Sequence, residues 1–124
     1  MKEYSNVTET IISILSGINT KAYSAFDDEE ISKDKTTIII NTIGVRSENE
    51  HSFEISVKIK AISKKDITLT EFQEFSENDV MKALIQSSLN ITEISLGEVN
   101  FNPLIKRLEC EINLKLRCSN TEVS

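Results

Sequence analysis

The sequence predicts an α+β fold in which a mostly antiparallel sheet of about four to five strands is flanked by two helices, all within a single domain over residues 1–124. Residues 53–61 and 108–118 alternate between apolar and polar side chains, a period typical of strands with one buried and one solvated face. Residues 7–18 and 80–89 carry apolar side chains at helical spacing. This length suits one domain, or one subunit of an assembly.

The first predicted element is a helix near the N-terminus. Asn6 and Glu9 have the spacing of a capping box, which predicts that the helix begins there, and Gly17 is typical of a helix end. One face of this helix carries a continuous apolar stripe, formed by Val7, Ile11, Ile14, Leu15 and Ile18.

A short strand and an acidic loop are predicted next. Residues 22–26 favour a strand, and a polar loop follows and extends to Lys35. The loop lacks the alternate acidic positions, the central glycine and the closing glutamate of an EF-hand. A solvated loop is the first interpretation, and weak cation binding or a subunit contact are the alternatives. The loop opens with four consecutive acidic residues, Asp27, Asp28, Glu29 and Glu30.

The longest predicted hairpin joins residues 36–45 to residues 53–62 across a polar turn. Its first strand is β-branched and apolar on both faces. We therefore expect this strand to be central in the sheet or to meet a partner with its second face. Gly44 predicts a bulge in it.

Residues 64–75 are harder to assign, because their apolar residues change from strand spacing to helical spacing. One interpretation is an arm that lies on a neighbouring molecule. Ser76 and Asp79 then predict the start of the second helix. The apolar arc of that helix is wide, which indicates packing on a sheet and contact with something else as well.

Residues 94–101 and 108–118 form the last predicted hairpin. Gly97 is expected to bulge and to reverse the register, so that Val99 and Phe101 take the core side. The Asn-Pro-Leu sequence between the two strands predicts the bend, because proline has a fixed φ and no N–H to donate to a ladder.

Composition argues against several classes of partner. The formal net charge is −6 and no basic stripe occurs, so specific nucleic-acid binding is not expected. No apolar run approaches the roughly 20 residues of a membrane span, so no membrane partner is expected. The N-terminus lacks a signal-peptide pattern, which favours the cytoplasm, and residues 119–124 are expected to be a polar tail.

No catalytic, metal or cofactor residues are predicted, and the chain is expected not to be an enzyme. His51 is the one histidine of the sequence, and no glycine-rich phosphate loop or nucleophile motif occurs. Cys110 and Cys118 lie on one predicted strand at a separation of about 26 Å, which is too far for a disulfide. Both are expected to be small hydrophobic side chains.

The order of elements (helix, short strand, long hairpin, helix and closing hairpin) resembles that of the tail terminator proteins of long-tailed phages. It is also similar to the related collar proteins of contractile, phage-tail-like bacteriocins. The local cues are the helix end at Gly17 and Ile18, the hairpin over residues 36–62, and residues 94–101 with residues 108–118. The resemblance implies a tail-terminator-like domain over nearly the whole chain.

The resemblance also implies a function in assembly. Six subunits form a ring that caps the head-proximal end of the tail tube and sheath and ends polymerisation. The implied partners are other copies of the chain, the tube protein and the sheath protein, first in the bacterial cytoplasm and later in a virion or phage-tail-like particle. Surplus apolar residues are expected at the subunit interface, namely Ile39, Ile43, Phe72, Phe75, Met81 and Ile85. A lumen-facing position that repels DNA is expected for Asp27, Asp28, Glu29 and Glu30.

Two other functions are compatible with the sequence. The chain is alternatively another neck, tube or baseplate component of the same kind of particle. A second alternative is a small, non-catalytic ligand-binding or regulatory module that uses the sheet as its binding face. Self-association in solution distinguishes a ring subunit from a monomeric module.

Overall fold

The computed structural model describes residues 2–27 and 29–119, with side chains for residues 7–27 and 29–118. Asp28 lies outside this part, as does the predicted polar tail of residues 119–124 apart from the backbone of Ser119. Two helices and six strands follow one another as α1 (Lys2–Ser16), β1 (Thr20–Ser24), β2 (Thr36–Ser47), β3 (Ser52–Ile62), α2 (the consecutive helical segments Leu69–Glu74, Phe75–Met81 and Lys82–Ile85), β4 (Ile91–Leu96), β5 (Asn100–Asn102) and β6 (Arg107–Ser119). The predicted α+β class is confirmed.

All six strands belong to one sheet, whose order is β1-β2-β3-β6-β4, with β5 also paired to β6. Only β1 and β2 are parallel, and every other pair is antiparallel. The sheet has more strands than predicted, because β4 and β5 are separate segments on the same edge of β6. The described part of the sheet therefore has two open edges. One is formed by β1 and residues 41–47 of β2, and the other by β4 and β5.

Both helices pack on one face of this sheet. The buried residues of α2 recur every fourth position, at Phe72, Ser76, Val80 and Leu84. The alternating side chains of β3 and β6 are buried beneath the helices because paired residues such as Val57 and Leu114 share a face. The largest fully buried aliphatic residues of the core are Ile11, Leu15, Ile38, Ile40, Ile55, Ile59, Leu84, Ile112, Leu114 and Leu116.

The opposite face of the sheet is polar and carries charges of both signs. The ammonium of Lys58 lies 3.4 Å from a carboxylate oxygen of Glu111, and that of Lys115 lies 3.3 Å from Glu93. These ion pairs are solvent-exposed, so they define the character of the face more than they stabilise the fold. The alternation of β3 and β6 predicted this division into a dry and a wet face.

Helix α1 starts earlier than predicted. It already contains Asn6 and Glu9, because it begins at Lys2, so the predicted start at these two residues is wrong. Asparagine is a weak helix former but is tolerated inside a helix whose apolar stripe packs on a sheet. The predicted end is confirmed, since the helix stops at Ser16 and Gly17 follows.

Helix α2 also starts earlier, at Leu69, so the predicted start at Ser76 and Asp79 is wrong. The true capping box lies eight residues upstream: the Thr68 hydroxyl accepts from the Glu71 N–H at 3.1 Å, and the Glu71 carboxylate accepts from the Thr68 N–H at 3.2 Å. Ser76 is instead fully buried inside the helix, where its Oγ accepts from the Cys110 thiol at 3.6 Å. Residues 69–75 thus form the first part of α2, which packs on the sheet of its own chain, and they are not an arm that lies on a neighbouring molecule.

Candidate subunit interface

Exposed apolar side chains cluster at the edge formed by β1 and residues 41–47 of β2. Phe26 follows β1 and is 87% exposed, and Ile43 and Val45 of β2 are exposed as well. Phe26 also lines an open groove of about 410 Å³ together with Ile12 of α1 and Ile40. We call Phe26, Ile43 and Val45 the β2-edge surface.

Strand pairing explains why this surface is exposed. β1 pairs only with residues Thr36 to Ile40 of β2, so the remaining part of β2 has β3 on one side and no described strand on the other. The register shifts between Thr42 and Gly44, which leaves Ile43 without a partner on β3. The bulge thus lies next to Gly44, from which the sequence predicted it, and the side chain of Ile43 points into solvent there.

A second exposed apolar region lies at the other edge, where β5 and the start of α2 meet. Leu69 and Phe101 line the same groove, and both are more than half exposed. Leu104, in the turn that follows β5, is almost fully exposed. We call Leu69, Phe101 and Leu104 the β5-edge surface.

Phe101 was predicted on the core side, and its 59% exposure corrects that prediction. Phe101 pairs with Leu108, which shares a face with the buried Cys110, so the face itself is the predicted one. α2 begins at Leu69 and does not extend over β5, and the ring of Phe101 therefore lacks a helix above it. Val99, the other residue predicted there, is partly buried against the core.

The six predicted interface residues differ widely in exposure. Phe72 is fully buried in the core, so its placement at a subunit interface is wrong: its side chain fills the space between α2 and the sheet. Phe75 and Met81 are partly buried, and Ile39 is partly buried on the polar face between Tyr23 and Lys60. The residues of the predicted set that the single chain leaves clearly exposed are Ile43 and Ile85.

The acidic loop is held against β1 by backbone contacts. The Lys21 ammonium donates to the Glu30 carbonyl at 2.7 Å, and the Tyr23 hydroxyl donates to the Glu29 carbonyl at 3.4 Å. Partial burial, and then the charge of Glu29, raises the pKa of the Tyr23 phenol. The carboxylates of Asp27 and Glu30 lie at the surface, where that of Asp27 accepts from the Ser24 N–H at 3.3 Å.

Cationic side chains line the groove beside the β5-edge surface. Its volume is about 450 Å³, and its lining includes Lys64, Lys65, Lys106 and Arg107, with Asp66 as the acidic lining residue. Asp66 and Lys106 have positive φ angles of 59° and 57°. Both residues line the groove from tight turns. The fold holds the backbone of each residue in the left-handed conformation, which glycine or asparagine adopts more readily. We call Lys64, Lys65, Lys106 and Arg107 together with Leu69 and Phe101 the basic groove.

Arg107 is the buried member of the basic groove, with only 7% of its surface exposed. Its Nη1 donates to the Ser63 carbonyl at 2.9 Å and to the Ser32 carbonyl at 2.8 Å, while its Nε has no partner in the described structure. No carboxylate is among its hydrogen-bond partners. Among the described residues its hydrogen bonds therefore go to carbonyl groups, and its charge adds to the positive potential of the groove.

Other reactive side chains do not converge on a site in the described residues. His51 is exposed in the turn between β2 and β3, 3.4 Å from Glu50. Burial raises the pKa of the Cys110 thiol, and neither cysteine forms a disulfide. Within residues 2–27 and 29–119, no group of three or more His, Cys, Asp or Glu is placed to hold a metal ion. No helix there is long and apolar enough to span a membrane.

No protein-family model matches the chain, and neither does any curated protein. In the part of the chain that the structure describes, exposed apolar side chains lie beside charged groups at both edges of the sheet. One edge combines exposed apolar side chains with carboxylates, and the other combines them with ammonium groups. Exposed aromatic residues beside complementary charges are typical of surfaces that bind protein.

Proposed function

We propose that the chain is a structural subunit of a phage tail or of a phage-tail-like particle such as a contractile bacteriocin. Six copies close into a ring that caps the head-proximal end of the tail tube and sheath and ends polymerisation. The ring assembles in the bacterial cytoplasm and then becomes part of the particle. The observation that supports this proposal best is that one sheet leaves unlike apolar surfaces exposed at its two opposite edges.

Ring symmetry requires that kind of subunit. In a closed ring each copy contacts the next through two different surfaces, because a head-to-tail contact joins one patch to an unlike patch and repeats until the rotation closes. A twofold dimer instead uses one surface that matches itself. The β2-edge and β5-edge surfaces differ in their residues and in neighbouring charge, which favours the head-to-tail arrangement.

The polar face of the sheet fits a wall near DNA better than a surface that binds DNA. Two of its lysines are paired with glutamates, Lys58 with Glu111 and Lys115 with Glu93, and these offer little free positive charge to phosphates. A face of this kind does not retain a polyanion that moves past it. The lumen-facing position of Asp27, Asp28, Glu29 and Glu30 stays a prediction.

A subunit that ends polymerisation also needs a surface to which no further ring adds. The end of the sheet at the turn between β2 and β3 is rich in charge. The Arg117 guanidinium binds both carboxylate oxygens of Glu48 there, at 2.9 and 3.1 Å. Charged side chains at the end or edge of a sheet disfavour the addition of another strand or sheet.

Electron microscopy of the purified chain mixed with tail tubes tests the proposed function. We expect rings seated at one end of each tube and tubes that stop growing once they are capped. Phe101→Ser removes an exposed aromatic ring from the β5-edge surface and should reduce capping, whereas the Val99→Ser variant next to it controls for loss of core packing. Tubes without rings at either end, and of unchanged length distribution, contradict the proposal.

A further inference from the structure

Resting on the proposed ring, we infer that Phe26 and the carboxylates of Asp27 and Glu30 on one copy dock in the basic groove of the next copy. Phe26, Asp27, Glu29 and Glu30 are called the acidic turn below. The occupant of the basic groove is thus a second copy of this chain. In this docking the carboxylates of Asp27 and Glu30 form a subunit contact. That role is the alternative to the lumen-facing position which the resemblance implies for them.

The acidic turn and the basic groove are chemically complementary. The groove has four cationic side chains, one carboxylate and an apolar wall made by Leu69 and Phe101. The turn has one aromatic ring, 87% exposed, followed in sequence by carboxylates. Each surface thus combines an apolar part, which association removes from water, with a charge opposite to that of the other surface.

The available charges can be named individually. Lys65 and Lys106 are exposed, and no carboxylate pairs with either ammonium in the described structure. On the acidic turn, Glu29 already pairs with Lys21 at 3.5 Å. Asp27 accepts from the Ser24 N–H at 3.3 Å but has no cationic partner among the described residues, and neither has Glu30, so these are the carboxylates that a neighbouring groove is expected to contact.

Within one copy, Phe26 lies far from the basic groove, although the loop that follows it reaches Arg107 and Lys65 through the carbonyls of Ser32 and Lys33. Phe26 follows β1 at one edge of the sheet, and Phe101 belongs to β5 at the other edge. The path from β1 to β5 crosses β2, β3 and β6, which at about 4.8 Å per step is about 19 Å. Insertion of the Phe26 ring into a basic groove must therefore occur between copies, and because this contact joins unlike edges it continues around a ring.

The buried guanidinium provides a second reason for an anionic occupant. Arg107 is held by two carbonyl groups and has an unpartnered Nε, although it is more than nine-tenths buried. A carboxylate that enters the groove adds negative charge beside a guanidinium whose own hydrogen bonds go to carbonyl groups, and it does so where screening by solvent is weak.

A charge exchange tests the docking. Lys65→Glu with Lys106→Glu reverses the groove, and Asp27→Lys with Glu30→Lys reverses the turn. We expect each pair alone to lower the self-association constant, measured by sedimentation velocity, by about tenfold or more, because like charges then face each other. A chain that carries both pairs should return to within about threefold of the wild type. Raising the salt from about 0.1 M to about 1 M should weaken wild-type association.

The matched control is Lys35→Glu with Lys82→Glu, which changes the net charge equally at two exposed lysines outside the groove. It should associate like the wild type, and circular dichroism should show all variants folded. Unchanged association in both reversed pairs overturns the docking, as does a combined chain that fails to recover or a wild type that stays monomeric at about 1 mM. If rings still cap tail tubes in those cases, the proposed function stands and only this interface falls. If docking is present but tubes are never capped, the capping function falls alone.

Discussion

Arg107 and Ser32 are 75 residues apart in the sequence, yet Nη1 of the arginine donates to the carbonyl of the serine at 2.8 Å. The same nitrogen also bonds the Ser63 carbonyl, so one guanidinium joins the loop before β2, the end of β3 and the start of β6. A single side chain thus fixes the base of the sheet and one wall of the basic groove.

Arg107→Met should lower the free energy of unfolding by about 2–4 kcal/mol, because it removes the donor to two carbonyl groups in a buried site. Urea unfolding followed by circular dichroism measures the change. Arg46→Met, at an exposed arginine of β2, is the matched control and should change the free energy by about 0.5 kcal/mol or less. Equal effects of the two substitutions would mean that the contacts of Arg107 contribute nothing.

Phe72→Ala should cost about 3–5 kcal/mol of stability, because it leaves a cavity beneath α2 in a fully buried site. Phe101→Ala should cost about 1 kcal/mol or less, because most of that ring is already in water. Thermal or urea unfolding separates the two phenylalanines. A small effect at Phe72 would contradict its position in the core and return it to the candidate interface residues.

Thr68→Ala should destabilise the chain by about 1 kcal/mol, because the N–H of Glu71 loses its acceptor at the start of α2. Thr70→Ala, at an exposed position two residues further along the helix, serves as the control and should have little effect. Ser76→Ala should not reproduce the loss of a cap, since Ser76 lies inside the helix. A cap effect at Ser76 instead of Thr68 would place the helix start where the sequence first indicated it.

The ion pair of Glu48 and Arg117 should make stability depend on pH in the acidic range. Hydrogen bonds and the charge of Arg117 lower the pKa of the Glu48 carboxyl below its ordinary value of 4.5. A carboxyl with a lowered pKa contributes stability that is fully present above its unfolded pKa and is lost as the pH falls through its folded pKa. Melting temperatures measured from neutral to acidic pH should therefore fall less steeply in Glu48→Gln than in the wild type.

Arg117→Met should flatten the same pH dependence, because it removes the partner that lowers the pKa of Glu48. Identical pH profiles for the wild type and both variants would show that the pair does not act in solution. The variant that carries both Glu48→Gln and Arg117→Met should have the same pH dependence of stability as either single variant, because the two substitutions remove one shared interaction.

Sequence periodicity predicted the interior of the sheet well. The strands β3 and β6 appear where alternation placed them, because side chains two residues apart necessarily share a face of a strand, and β2 appears where its β-branched residues predicted a strand. The end of α1 at Gly17 was also predicted, although Gly17 has no positive φ and the last turn closes through bonds from the Gly17 and Ile18 N–H groups to the Ile14 and Leu15 carbonyls. The beginnings of both helices were not, because capping residue types recur along the chain and packing selects among them.

Exposure was harder to predict than the face of a strand on which a residue lies. Phe72 and Phe101 are both aromatic residues with apolar neighbours, yet one is fully buried and the other mostly exposed. The difference depends on where α2 starts and which strands it covers, and these are long-range relations. The basic groove was missed for the same reason: its lysines and Arg107 come from two turns that are some 40 residues apart in the sequence.

By itself, the amino-acid sequence determined the α+β class, the alternation that gives the sheet a dry and a wet face, and the excess of apolar side chains. These properties follow from neighbours within a few positions, and local spacing is what a linear chain encodes directly. Only the tertiary structure decided which apolar residues the core covers and which remain at the two edges, and only it brought Arg107 to Ser32. Burial depends on contacts between distant segments, and those exist only once the sheet has assembled and the helices have packed on it.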